Sequence, residues 1–289
     1  MTTFAVLDIK NVLGEGVLWD ARIGSAVWTD IQSSRFWQWQ PGSEPESFPL
    51  PQRLGSIALT ETPGTYLGGF EHGFARFTPA TGAFEMLAPV TADHAHLRLN
   101  DGRVDRIGTF WAGSMVETKG QPLGSLWRYD GSGRATAFFD DIIIPNSLCW
   151  TRDGMQMYFT DTMTQTIRRF DFDAEHGPVG EPEIFATTTG HRYPDGSCID
   201  AEDHLWNAQW GSGEVVRYRP DGSIERRITL PVSQPSCVTF GGADLNLLMV
   251  TTARQTLSAE ALAGQPLAGA LFVFDLDVTG LPENICTRC

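Results

Sequence analysis

The sequence repeats itself at a period of about 40–50 residues, and that period limits the folds open to it. Four copies are directly readable: GEGVLWDARIGSAVWTDIQSSRFWQWQPGS from Gly14, NDGRVDRIGTFWAGSMVETKGQPLGSLWRYDGSG from Asn100, NSLCWTRDGMQMYFTDTMTQTIRRFDFD from Asn146 and DGSCIDAEDHLWNAQWGSGEVVRYRPDGS from Asp195. Each holds an apolar run, a polar turn and a second run with an aromatic-rich patch (Val27-Trp28, Phe110-Trp111, Tyr158-Phe159, Leu205-Trp206). A Gly- or Ser-bearing loop and a third, alternating run such as Val215-Val216-Arg217-Tyr218 follow. Alternation over short runs bounded by Gly, Asp and Pro is the mark of half-buried strands. Weaker copies begin near Gly55 and Gln234, giving roughly six units. The expectation is an all-β, six-bladed β-propeller of four-stranded blades.

No low-complexity linker divides the 289 residues, so one domain spanning 1–289 is expected. Helical periodicity is confined to Ser258-Ala-Glu-Ala-Leu-Ala263, read as an excursion in the last blade. The N-terminal Thr2–Leu7 lacks a basic n-region and a signal-length apolar core, and is expected to supply a strand that closes the ring in a cytoplasmic protein. A net charge of −14 argues against nucleic acid or an anionic membrane as partner, since both need clustered Lys and Arg. A monomer acting on a small molecule is expected.

Five cysteines, an odd count, fit a reducing compartment. Cys149, Cys198 and Cys237 each lie three residues past the head of a unit and read as small core residues. Cys286-Thr-Arg-Cys289 reads as two tail thiols, and His94-Ala-His96 as a loop pair rather than a metal site.

The heads of the units carry the functional signal. Glu15, Asn146 and Asp195 each sit just after a loop and at the start of an apolar run. Taken singly, an Asp or Asn there is ordinary turn chemistry. In a closed ring these positions converge at one end of the axis, and three oxygen donors suit a hard divalent cation. No Gly-x-Ser-x-Gly elbow opens a helix, no histidine is placed by the repeat, and no phosphate-cradling Gly loop occurs.

Around these positions the chain resembles the regucalcin (senescence marker protein), gluconolactonase and luciferin-regenerating enzyme family of six-bladed propellers. The elements are Gly14-Glu15-Gly16 with Trp19, Arg98-Leu-Asn100-Asp101-Gly102-Arg-Val-Asp105, Ala112-Gly-Ser-Met115, and Pro145-Asn146-Ser147-Leu148 with Asp161-Thr162. Pro194-Asp195-Gly196 with Cys198-Ile-Asp200, Leu205-Trp206, Ala253-Arg254 and Pro266-Leu-Ala-Gly269 extend the likeness along nearly the whole chain. It implies metal-dependent hydrolysis of an aldonolactone such as xylonolactone or gluconolactone. Glu15, Asn146 and Asp195 match the family's ligands to one divalent ion, with Ca2+, Mg2+, Mn2+, Fe2+ and Zn2+ all open. Asp195 also matches its proposed general base, and Arg98 and Asn100 match residues that bind the sugar or lactone oxygens. In animal members the Ala-Gly-x-Met element leads into two glutamates, the second reaching the ligand. Here Glu117 is followed by Thr118, and Glu117 is carried as the candidate substrate contact.

The chemistry is coherent on its own terms. A divalent ion polarises a lactone carbonyl as a Lewis acid, Asp195 takes a proton from water, and Arg98 orients the lactone or the product carboxylate. Arg98 has a structural alternative, an ion pair with Asp101 or Asp105. A metal-dependent organophosphate or aryl ester hydrolase and a non-catalytic metal-binding propeller are the alternative functions.

Overall fold

The computed structural model describes residues 1–90, 97–117 and 121–288; His94, His96, Thr118 and Cys289 lie outside them. Its strands form six sheets. After β1 (Thr2–Leu7), blade 1 is β2 (Gly14–Asp20), β3 (Ser25–Asp30), β4 (Arg35–Trp39) and β5 (Glu46–Pro49). Blade 2 is β6 (Leu54–Thr60), β7 (Tyr66–Phe70), β8 (Gly73–Thr78) and β9 (Ala83–Pro89), and blade 3 is β10 (Leu97–Val104), β11 (Phe110–Val116), β12 (Gly124–Tyr129) and β13 (Ala135–Ile142). Blade 4 is β14 (Pro145–Trp150), β15 (Gln156–Asp161), β16 (Thr166–Asp173) and β17 (Gly177–Thr187), and blade 5 is β18 (Tyr193–Ile199), β19 (Leu205–Trp210), β20 (Glu214–Tyr218) and β21 (Ile224–Thr229). Blade 6 takes β22 (Pro235–Gly241), β23 (Leu247–Thr252) and β24 (Leu271–Asp275) from the C-terminal end, with β1 as its outer strand. β1 pairs antiparallel with β24, Leu7 opposite Leu271, so the two ends of the ring share one sheet.

The alternation has a different meaning from the half-buried strands expected of it. β2 and β3 are buried along their whole length, and the pleat divides their side chains between two inter-blade layers. Val17, Trp19 and Trp28 pack with Met249 and Val273 of blade 6, whereas Leu18 and Val27 pack with Leu54 and Ile57 of blade 2. Successive residues of a strand point to opposite faces, and here both faces meet a neighbouring sheet. Trp28, Trp111 and Trp206, one from each of three aromatic patches, are fully buried between blades. Two of them are pinned by a carboxylate six residues earlier: Trp111 Nε1 donates to Asp105 and Trp206 Nε1 to Asp200, each at 2.9 Å. The Val-Asp105 and Ile-Asp200 elements of the sequence are therefore structural, closing the turn between first and second strands.

The helical segment is α1 (Ala259–Gly264), between β23 and β24, with the Ser258 hydroxyl accepting from Ala261 N as N-cap. The chain end passes under the ring. Ala201 N donates to Thr279 O, Glu283 accepts from Arg103 (3.0 Å) and Thr239 (2.7 Å), and β25 (Ile285–Cys286) pairs parallel with the far end of β6. Cys149, Cys198 and Cys237 are free and buried, and burial pushes the Cys149 thiol up to about 12. They are inert core residues. Cys286 departs from the tail-thiol expectation, being buried and disulfide-bonded. Among the described residues no helix is long and apolar enough to cross a membrane.

Candidate active site

Every inner strand breaks register near its first residues. The ladder shifts between Glu15 and Leu18, Leu54 and Ser56, Leu99 and Gly102, Asn146 and Cys149, Pro194 and Ser197, and Pro235 and Val238. A bulge re-aims a side chain that a regular strand would send into the inter-blade layer. The residues that follow two of the predicted ligands show how: Gly16 and Ser147 hold φ of 59° and 61°, in the left-handed region. Glycine tolerates this freely; Ser147 is held there because its hydroxyl donates to Asp195 O (2.7 Å) and accepts from Asn207 Nδ2 (3.1 Å).

The bulged heads surround one cavity of about 300 Å³, at the lower end of the range for small-molecule sites. Glu15, Arg98, Asn100, Asn146, Thr162 and Asp195 are among its polar lining residues, and Leu13, Met115, Ile144, Met163, Tyr193 and Trp210 supply its apolar lining. Five of the six residues singled out in the sequence thus meet in a single pocket. Glu117 does not line it. That side chain, 35% exposed, instead accepts from Arg98 Nε (3.1 Å), so the ion pair of Arg98 is with Glu117 and not with Asp101 or Asp105, the structural alternative raised from the sequence.

Asn146 has a fixed orientation. Thr162 Oγ1 donates to Pro194 O (2.8 Å), so it must accept from Asn146 Nδ2, also at 2.8 Å. The amide oxygen is left as the group turned to the cavity, with one long contact from Asn100 Nδ2 (3.3 Å). Asn100 is held behind it: Nδ2 donates to Pro145 O (3.0 Å) and Oδ1 accepts from Arg98 Nη1 (2.7 Å).

The two carboxylates are in a costly position. Burial, and after it the charge of Asp101, raises Glu15 to about 8; burial, then Glu15 and Asp101, pushes Asp195 well above its usual value. Among the described residues neither is ion-paired, and the hydrogen bonds holding them come from the amides of Gly16 and Gly196. Two buried like charges beside an amide oxygen are the donor set of a hard cation, which removes their repulsion. No group of three or more His, Cys, Asp and Glu side chains among the described residues has metal-binding spacing, so a site here needs Asn146.

Asp101, named from the sequence only as a possible partner of Arg98, is a third carboxyl beside the two candidate ligands. It accepts from Leu148 N (3.0 Å) and sits close enough to Glu15 and Asp195 to raise both. Its signal was adjacency to Asn100 in the Arg-x-Asn-Asp-Gly element.

Residues 13–254 match the family described as SMP-30/Gluconolactonase/LRE-like region. The chain belongs to this family. It is 37% identical over 275 residues to L-arabinolactonase of Azospirillum brasilense, covering 92% of this chain and 89% of that protein. It is 34% identical over 288 residues to 6-deoxy-6-sulfogluconolactonase of Pseudomonas putida, covering 98% of each. Among solved structures, a calcium-binding protein, regucalcin, from Agrobacterium tumefaciens superposes with a TM-score of 0.92 at 33% identity, over 98% of this chain and 96% of that one. The family elements quoted from the sequence divide in two within this fold. Gly14-Glu15-Gly16, Arg98-x-Asn100, Pro145-Asn146 and Pro194-Asp195 surround the cavity, whereas Asp105, Asp200 and Trp206 hold turns between strands.

Proposed function

We propose that the protein is a carboxylic-ester hydrolase that opens a sugar lactone to its aldonic acid, using a divalent cation held by Glu15, Asn146 and Asp195. The observation that carries this reading is the convergence of those three oxygen donors with Arg98 in a single small cavity. The lactonase names of relatives aligned over nearly the whole chain support the substrate class. The calcium-binding relative supports a divalent ion, with Ca2+ joined by Mg2+, Mn2+, Fe2+ and Zn2+ as candidates.

When bound, the cation supplies Lewis-acid polarisation of the lactone carbonyl. The chain's own groups do the rest. Arg98, 4% exposed and permanently charged, orients the lactone and afterwards holds the product carboxylate. Asp195 takes the proton from the attacking water and returns it to the ring oxygen as that oxygen leaves. The apolar lining, with Trp210 and Tyr193 opposite each other in the β18–β19 ladder, limits the water that reaches the reacting carbon.

The test is a panel of five- and six-carbon aldonolactones, followed by proton release, with metal-stripped protein reconstituted ion by ion. Turnover should be lost on stripping and restored by one class of ion. Metal binding without turnover of any lactone would leave a cation-binding propeller, and turnover in protein free of metal by elemental analysis would remove the cation from the reaction.

A further inference from the structure

Arg98 is the last member of a chain of charges that crosses between blades. Arg53 immediately precedes β6 and Glu71 immediately follows β7, both in blade 2, and Glu71 N donates to Arg53 O (2.9 Å). Arg53 donates from Nη2 to Glu71 Oε1 (2.5 Å) and from Nη1 to Glu117 Oε1 (2.6 Å). That same Glu117 oxygen accepts from Arg98 Nε at 3.1 Å, so one carboxylate at the end of β11 ties the guanidinium of blade 2 to that of blade 3.

The consequence lies in what is left of Arg98. Nε is taken by Glu117, and Nη1 by Leu99 O (3.1 Å) and Asn100 Oδ1 (2.7 Å). Among the described residues Nη2 has no hydrogen-bond partner, although Arg98 lines the cavity. A planar guanidinium held at two of its three nitrogens has its third fixed in direction. A free arginine side chain would lose rotamer freedom on binding, and here folding has already ordered it.

We propose that Arg53 and Glu117 are positioning residues: their ion pair orients Arg98 so that Nη2 meets the carboxyl-level oxygens of a lactone or its aldonate product. This rests on the lactonase reading for its ligand. It also gives Glu117 a role other than direct contact with the substrate, and Arg53 a role that nothing in the sequence pattern suggested.

Two substitutions separate the possibilities. Glu117→Gln leaves two neighbouring guanidiniums without their shared anion, and Arg53→Met removes the outer anchor while leaving Glu117 intact. Each should raise KM by about tenfold with a much smaller change in kcat, the signature of lost binding rather than lost chemistry. The double variant should be no worse than Glu117→Gln alone, because both act through one pair, and Arg53→Lys should recover part of the loss. An Arg53→Met protein with wild-type KM, beside a Glu117→Gln protein with raised KM, would put Glu117 directly on the substrate and overturn the proposal. A readout independent of turnover is the rate at which phenylglyoxal modifies Arg98, followed by peptide mass mapping on samples matched for melting temperature. Several-fold faster labelling in both variants is expected, and unchanged labelling would refute the ladder. If the wild type turns over no lactone, the functional reading fails while the labelling still decides the positioning.

Discussion

Glu15 and Asp195 make the metal-free protein sensitive to pH in a direction opposite to ordinary surface carboxylates. Burial raises Glu15 from its usual 4.5 to about 8, and Asp195 is raised as well. Between those values the folded metal-free chain keeps a proton that the unfolded chain has released, so the stabilisation is complete below about pH 4.5 and is lost as pH rises towards 8. At about 1.36 kcal/mol per pH unit, Glu15 alone sets a scale of roughly 5 kcal/mol. In a domain of this size that is a fall in melting temperature on the order of 10 °C. A cation in the site takes over the protons' role, so the fall should vanish on loading, and loading near pH 7 should expel about one proton from Glu15. Thermal melts from pH 5 to 8.5, with chelator and with each ion, measure the first quantity; pH-stat titration of stripped protein measures the second. Glu15→Gln, neutral throughout, should flatten the metal-free profile and abolish tight binding. A chelated wild type whose melting temperature is level or rises across this window would refute the reasoning, as would metal loading with no proton released.

Three further outcomes follow from the geometry. Asp195→Asn keeps an oxygen in place, so metal occupancy should persist at reduced affinity while kcat drops by roughly 10²–10⁴, and Asp195→Ala should lose both; turnover and elemental analysis on the same samples separate the roles. Thr162→Val removes the hydroxyl that orients Asn146, and should weaken metal binding by roughly 10–100-fold in isothermal titration, with near-normal turnover once the metal is saturating. Deleting Thr2–Leu7 bares the edge of β24, so melting temperature and solubility should both fall, and unchanged light scattering and melting would count against β1 as the closing strand.

The fold was legible because a propeller writes itself into sequence as a period, and the six heads read from that period lie within a few residues of the six inner strands. Gly14 opens β2, Gly55 lies in β6, Asn100 in β10, Asn146 in β14 and Asp195 in β18, while Gln234 immediately precedes β22. Burial on both faces was not legible. Alternation is the same whether the second face meets water or another blade, and only the inter-blade layers joining Val17 to blade 6 and Leu18 to blade 2 decide it.

The site was legible to the level of which side chains meet, and no further. Equivalence of position brings Glu15, Asn146 and Asp195 together from the sequence alone, because a ring turns equal places in the repeat into neighbours in space. Orientation depends on contacts between blades, which no local pattern records. Asn146 presents its oxygen because Thr162, 16 residues later, is itself committed to Pro194 O in the next blade. Arg98 meets the cavity through Nη2 because Arg53, in the preceding blade, holds Glu117. The two cases share a physical cause. In each, the other polar atoms are satisfied within the residue's own blade, by a side chain that the adjoining blade holds in place, so the atom left over is the one the cavity receives. Exchanging donor and acceptor at Thr162 or Glu117 should therefore alter function while leaving the blades intact, which sequence periodicity alone would never indicate.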